Sequence, residues 1–367
     1  LVRLGVGSNG DALLADSGTT EGLRWQGQQI AGKNKIINGN MQIAQRGTSF
    51  TSTGGANNDD TYNLDRWYVL SDGNDAVDIT QSTEAPTGGL NSIALDVETV
   101  NKKFGIAQII EQKNCIGLIG ETVTLSFMAK VSSTTKLDNV KAAIIAWSGT
   151  ADTVTSDVVS AWGAEGTNPT LASSLTYENS PANLNVTTSW ARYSITAAVD
   201  TASTKNIIVF IWSDVTDTTL GDFLYITDVQ LEYGSVATRF TSNSGTFQAE
   251  LAACQRYFCK SFPLTVIPAN NESSGSIAVF FNTTLGNNYS EIITYPVQMR
   301  ATPSITLYNP GNGTANSWIT YNSSTIISSG DTGVSANNIN EYSFRGYKAS
   351  STTITFADAQ WTAAIEL

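Results

Sequence analysis

The sequence predicts an all-β protein: a jelly-roll β-sandwich followed by a smaller C-terminal β-sandwich, with an extended N-terminal segment and a short linking helix. Three observations carry this. Short alternating or apolar runs recur along most of the chain, bounded by Gly, Asn, Asp, Ser and Thr. These runs follow one another without the βα alternation of a parallel sheet. One segment, near residue 250, has helical spacing. No fixed repeat is visible, which weighs against a β-helix or propeller.

Residues 1–34 form a Gly-rich segment. Leu4, Val6, Leu13, Leu14 and Leu23 are separated there by the turn-like clusters GSNGD and DSGTTEG. Such a piece cannot build a core alone. Either it packs against copies of itself in an oligomer or it is a mobile leader. The jelly roll occupies residues 35–241. Its expected strands are Ile36 to Ile43, Asp65 to Ser71, Asp75 to Gln81, Ser92 to Val97 and Gly105 to Glu111. Further strands are expected at Glu121 to Lys130, Lys141 to Ser148, Ala191 to Val199, Asn206 to Trp212 and Phe223 to Leu231. Val123, Leu125 and Phe127 alternate with Thr122, Thr124 and Ser126, the period of a strand with one wet face. Ile207 to Trp212 is apolar on both faces and reads as a central strand covered on both sides.

The helical link is residues 242–262. Phe247, Leu251, Cys254 and Phe258 are spaced 4, 3 and 4 apart, a heptad seam, with Ser242, Asn243 and Ser244 as N-cap candidates and Pro263 beyond. Either this is one helix packed on a sheet or a short neck of an oligomer. Residues 263–367 form the distal sandwich, with strands at Ser276 to Asn282, Glu291 to Pro296, Ser304 to Tyr308, Ser317 to Asn322, Glu341 to Lys348 and Thr352 to Phe356.

Composition excludes several classes of chemistry. The 367 residues include no histidine, which removes Ser-His-Asp and Cys-His triads and His-ligated metals. With 20 Lys+Arg against 32 Asp+Glu the net charge is -12, so no cationic footprint for nucleic acid exists. Cys115, Cys254 and Cys259 form neither a disulfide framework nor a zinc pair. Low cysteine use fits folding in a reducing cytoplasm. No apolar run approaches a membrane span, so no membrane insertion is expected. Neither a phosphate loop nor a nucleophile elbow nor a dinucleotide fingerprint is present, and no enzymatic activity is expected.

Four ordered motifs carry a resemblance. RLGVGSNGDALLADSGTTEGLRW resembles a segment of bacteriophage fibre and tail proteins. INGNMQIAQRGTSF followed by YNLDRWYVL resembles the start of the jelly-roll module of phage tail-fibre proteins. FLYITDVQLEYGSVATRF with AELAACQRYF resembles the end of that module, and YPVQMRATPSITLYNPGNGT the start of a distal fibre domain. The resemblance implies a virion fibre protein, made in the bacterial cytoplasm and carried on the extracellular particle. It implies a homotrimer that meets other virion proteins through its N-terminal segment and attaches to the host surface. The alternatives are a capsid-mounted fibre or decoration protein of structural role, and a polysaccharide depolymerase.

The jelly-roll portion also resembles carbohydrate-binding modules of the galactose-binding-like class, which implies a host surface polysaccharide as partner. In that class the first and last strands share a structural calcium ion. The matching residues are Asn38, Asn40 and Asp228, and no other cofactor is implied. Asp228 lies in an otherwise apolar run and needs a partner: a cation, Arg66 or backbone amides. The loop Asn57-Asn58-Asp59-Asp60 lacks the spacing of a calcium-binding EF-hand and reads as a solvated turn. Aromatic rings are sugar platforms. Trp162, in SAWGAEGTNP, is the loop-exposed candidate of the first domain, and Trp318 with Tyr321, beside the turn Asn309 to Asn316, that of the second. Trp67 and Trp190 sit inside strand patterns and read as core.

Overall fold

The structure, a computed structural model, describes residues 5–7, 11–27, 32–280, 287–322, 325–349 and 356–367. Leu4, residues 281–282 of one expected strand and residues 352–355 of another lie outside the described residues. The chain forms two compact units. One comprises Leu1–Gln42, Ser49–Glu250 and Leu367, the other Ile43–Thr48 and Leu251–Glu366.

In the first unit the N-terminal segment holds an antiparallel hairpin, β1 (Asp11–Ala15) and β2 (Leu23–Gly27). Trp25 Nε1 donates to the Gly5 carbonyl at 2.7 Å. The chain continues through β3 (Ser49–Phe50), β4 (Tyr68–Ser71), β5 (Val77–Ser82), β6 (Ser92–Val97), β7 (Phe104–Ile110), the one-turn helix α1 (Gln112–Cys115), β8 (Thr122–Val131) and β9 (Val140–Trp147). A short pair, β10 (Val159–Ala161) and β11 (Thr170–Leu171), precedes β12 (Leu175–Tyr177), β13 (Ala191–Ala198), β14 (Asn206–Ser213) and β15 (Phe223–Tyr233). Two antiparallel sheets result, a five-stranded one in the order β12-β9-β14-β7-β4 and a six-stranded one in the order β13-β8-β15-β6-β5-β3.

All eight residues of β14 are buried, as its two-sided apolar pattern predicts. Phe210 and Trp212 stack with ring centroids 4.6 Å apart. The excursion between β9 and β12 lays Trp162 edge-on against Phe210 at 5.9 Å. A buried ion cluster holds that excursion. Lys103 Nζ donates to Asp214 Oδ1 at 2.5 Å and to the Ala164 carbonyl at 2.8 Å, and Lys141 Nζ meets Asp214 Oδ2 at 2.7 Å. Gly166 N–H donates to Asp214 Oδ2 at 3.0 Å.

The apolar run Ile36 to Ile43 is not a strand. Asn38 and Met41 take left-handed φ values of 57° and 58°. Buried side chains replace ladder partners: the Gln108 amide both accepts from Ile37 N–H at 2.9 Å and donates to the Ile37 carbonyl at 2.8 Å. Asn38 N–H donates to Glu250 Oε1 at 2.6 Å.

The helix α2 (Phe247–Gln255) is shorter than the heptad seam that predicts it. Phe258, the fourth seam position, starts β16 (Phe258–Lys260). Thr246 rather than a residue between Ser242 and Ser244 caps it, accepting from Ala249 N–H at 3.3 Å.

The second unit contains β16, β17 (Ile277–Phe280), β18 (Asn287–Tyr289), β19 (Ile293–Thr294), β20 (Ser304–Tyr308), β21 (Trp318–Asn322), β22 (Thr325–Asp331), β23 (Val334–Asn337), β24 (Ser343–Ala349) and β25 (Phe356–Ala364). One sheet is organised on β25, which pairs with β16, β17, β20 and β21. The other is organised on β24, which pairs with β18, β19 and β23. Trp318, Phe344, Trp361 and Met299 lie in the core of this unit.

Asp214→Ala strands two buried lysines. It is expected to destabilise the first unit by about 3–5 kcal/mol, measured as a lowered urea midpoint.

Candidate functional site

The six-stranded sheet turns one face to the core; the other is buried along Thr124, Ser126, Gln230 and Glu232 and open along Met128 and Lys130. On β8 the buried alternation Val123, Leu125, Phe127, Ala129 and Val131 leaves Met128 and Lys130 on the opposite face, partly exposed. Leu224 and Ile226 pair with Val131 and Ala129, so Phe223, Tyr225 and Thr227 share the face of Lys130 and Met128. Ala191 pairs with Ala129, which sets the preceding residue, Trp190, level with Lys130. A row therefore runs across the sheet from Trp190 through Lys130 and Tyr225 to Ala94. Below it, Phe223 pairs with Asp96, and Asp96 with Asp78.

These side chains form an aromatic shelf. Phe223 and Tyr225 stack at 5.5 Å with 14° between planes, and Trp190 stands edge-on to Tyr225 at 6.3 Å. All three rings are partly exposed. Lys130 Nζ lies 4.9 Å from the Tyr225 ring centre and 5.8 Å from that of Trp190. Glu84 accepts from Lys130 Nζ at 2.9 Å and from Trp190 Nε1 at 3.1 Å. Those two bonds hold the Glu84 carboxyl below its ordinary range. Burial pushes the Tyr225 hydroxyl up, aided by Glu84 and Asp96. Burial, with repulsion from Glu98 and Asp78, pushes Asp96 up to about 6. Apolar ring faces held in fixed orientation, with charged groups at their edge, suit a ligand with flat apolar faces and many hydroxyls.

The expected platforms lie elsewhere. Trp162 is not loop-exposed: it retains 7% of its surface and packs in the first core. Trp318 is fully buried in the second. An i, i+3 pair on a strand points to opposite faces, so Tyr321 is separated from Trp318 and is partly exposed. One face of its ring is covered by Phe356 at 4.3 Å, and its hydroxyl donates to Asp358. Trp67 is core, as expected, whereas Trp190 is at the surface. The sequence signal for Trp190 was its place one residue before a strand whose register no pattern reveals.

The residues matched to a shared calcium ion do approach one another in the backbone, where Val229 N–H donates to the Gly39 carbonyl at 2.9 Å. Their donors are in part engaged and in part open. The Asn38 carbonyl accepts from Trp67 Nε1 at 3.0 Å, and Asn38 Nδ2 donates to the Asp65 carbonyl at 3.0 Å. Asn40 Oδ1 is buried without a partner. Burial raises the Asp228 carboxyl, opposed in part by the charge of Arg192. Among the described residues, no group of three acidic or cysteine side chains has the geometry to hold a metal.

Neither a protein family nor a curated protein matches the sequence. Several solved structures are similar. An enzymatically active domain of bacteriophage CBA120 tailspike protein 4 aligns at 16% identity and a TM-score of 0.32, over 56% of this chain and 22% of that one. The CBM22-1 xylan-binding domain of Paenibacillus barcinonensis Xyn10C aligns at 12% identity and a TM-score of 0.31, over 56% of this chain and 98% of that one. The C-terminal family 22 carbohydrate-binding module of Clostridium thermocellum Xyn10B gives 9% identity and 0.30, over 49% and 94%. The chain itself is an all-β protein of two sandwich units, the first bearing an aromatic surface on its six-stranded sheet.

A carboxyl raised in the folded state adds stability below its unfolded value, and that stability is lost as pH rises through the folded value. For Asp96 the window runs from 3.8 to about 6. Asp96→Asn is therefore expected to raise the melting temperature by about 2–4 °C above pH 6 in EDTA-containing buffer, with the gain vanishing below pH 4.

Proposed function

We propose that the chain is a non-catalytic glycan-binding fibre protein of a bacteriophage, mounted on the tail or head, which attaches the particle to a host surface polysaccharide. The observation that carries this reading is the shelf of Trp190, Tyr225 and Phe223, three pre-oriented rings flanked by Lys130 and Glu84. Pyranose CH groups stack on ring faces, and the flanking charges accept and donate bonds to hydroxyls. The ordered fibre motifs support the viral setting. With a net charge of -12, an anionic surface polymer is repelled on average, so attachment relies on this local patch. In a homotrimer, three weak shelves act together through effective concentration. The hairpin β1–β2 supports assembly: Leu13, Leu14, Leu23 and Trp25 each keep 38–45% of their surface, and an isolated hairpin is marginal in water.

Trp190→Ala and Tyr225→Ala are each expected to weaken binding to purified host polysaccharide about tenfold or more, read by calorimetry. Trp162→Ala is expected to leave the affinity of the folded protein unchanged and to cost about 3–5 kcal/mol of stability. Loss of binding in Trp162→Ala with none in the shelf variants would overturn the assignment. Light scattering is expected to give three times the chain mass of 39.1 kDa, and a single chain mass would remove the trimer.

A further inference from the structure

The sheet face that carries the shelf continues past it. One step along the same strands, Arg192 on β13 lies opposite Met128 on β8, and Met128 lies opposite Thr227 on β15. Successive residues on one face are about 7 Å apart along a strand, so this row adjoins that of Trp190, Lys130 and Tyr225. Beyond it, residues 234–241 cover the face. The Gly234 carbonyl accepts from Thr124 Oγ1 at 2.7 Å, and Thr241 N–H donates to Gln230 Oε1 at 2.9 Å. The second row is therefore a strip between the aromatic shelf and a covering loop.

Asp228 enters this strip through an irregularity of β15. Thr227 pairs with Met128 and Gln230 with Ser126, so two residues, Asp228 and Val229, stand opposite Phe127 alone. Val229 is fully buried, and Asp228 takes a left-handed φ of 51°. A bulge of this kind re-aims a side chain, and the charge acting on the Asp228 carboxyl is that of Arg192. Arg192 reaches across β8 and donates from Nη2 to Ser126 Oγ at 2.6 Å, while its Nε is buried without a partner. Among the described residues, no ion pair within 4.0 Å joins Arg192 to Asp228, and no hydrogen bond reaches the Asp228 carboxylate. Two partly buried opposite charges thus stand on one strip without touching.

That gap selects a chemistry. A guanidinium only donates and a carboxylate only accepts, whereas a hydroxyl does both. An acidic sugar placed between them meets Asp228, and an amino sugar meets Arg192, each a like charge in a partly desolvated place. Lys130 and Glu84 repeat the opposite-charge pattern one row away. We propose that Arg192 and Asp228 form the polar subsite of the shelf, which takes adjacent hydroxyls of an uncharged pyranose and restricts the ligand to neutral glycans. This inference rests on the shelf as the glycan site: the rings hold the sugar, and the charged pair orients it and rejects uronic acids. Asp96, beside Phe223 on the other flank, adds to that rejection.

The test separates oligosaccharides released from the host surface into neutral and acidic pools by anion exchange and titrates each into the full chain by calorimetry. The parent is expected to bind the neutral pool at least about tenfold more tightly than the acidic one. Asp228→Asn is expected to lose about tenfold toward the neutral pool and to narrow the difference between pools, because acidic sugars are no longer repelled. Asparagine tolerates a left-handed φ, so this variant is expected to fold and to melt close to the parent temperature. Arg192→Lys keeps the charge but loses the planar fork, and is expected to weaken the neutral pool by a similar factor. Tighter binding of the acidic pool by the parent would overturn the subsite. So would parent affinity in both Asp228→Asn and Arg192→Lys while Trp190→Ala binds weakly, a result that leaves the shelf standing. Parent affinity in Trp190→Ala, or no binding of either pool, would instead remove shelf and subsite together.

Discussion

The register of the six-stranded sheet is the constraint on which the rest depends. β8 alternates without a break, so Val123, Leu125 and Phe127 enter the core only if Met128 and Lys130 take the opposite face. Pairing then brings Trp190, Lys130 and Tyr225 into one row although they are far apart in sequence. A slip of one residue would bury Lys130 and expose the core set. The same hydrophobic burial that stabilises the sandwich therefore sets the row, and Glu84, bonded to Lys130 and Trp190, anchors its edge.

Polar burial does comparable work at three places. Lys103 and Lys141 close on Asp214 and fix the excursion that covers Phe210 and Trp212. A buried pair of this kind contributes little net stability but is costly to break, so it specifies a position more than it strengthens a fold. Gln108 stands in for a neighbouring strand beside Ile37. Asn57 bridges two carboxylates that no basic side chain neutralises. In the first two cases every charge or ladder group finds a partner; in the third the buried Asn57 Oδ1 is left without one.

The strands with clean patterns were legible. Ser92 to Val97 and Ser304 to Tyr308 match their predicted bounds, and β14 is buried on both faces as its composition demands. Ile36 to Ile43 misled because apolar alternation reports burial, while a strand also needs a ladder, and side-chain amides took that role. The long β25 escaped notice because FADAQWTAA is rich in alanine, a weak strand former, and owes its conformation to four pairing strands. Trp162 misled in the opposite sense: a Gly-rich loop signals a turn, not exposure, and this loop folds its indole onto Phe210. The shelf was illegible because cross-strand register is set by long-range pairing. Asn57 to Asp60 read as a solvated turn, since neither the burial of Asn57 nor its reach to Asp75 and Asp78 leaves a trace in local spacing.

Glycan recognition by the shelf is the central claim, and the eight tryptophans make it directly observable. Each indole N–H gives its own signal in a nitrogen-15 correlation spectrum. On titration with oligosaccharides released from the host surface, the account predicts that the Trp190 indole signal moves while those of the buried Trp162, Trp212 and Trp318 stay in place. Movement confined to the buried indoles, or no movement at Trp190 at saturating oligosaccharide, would contradict it.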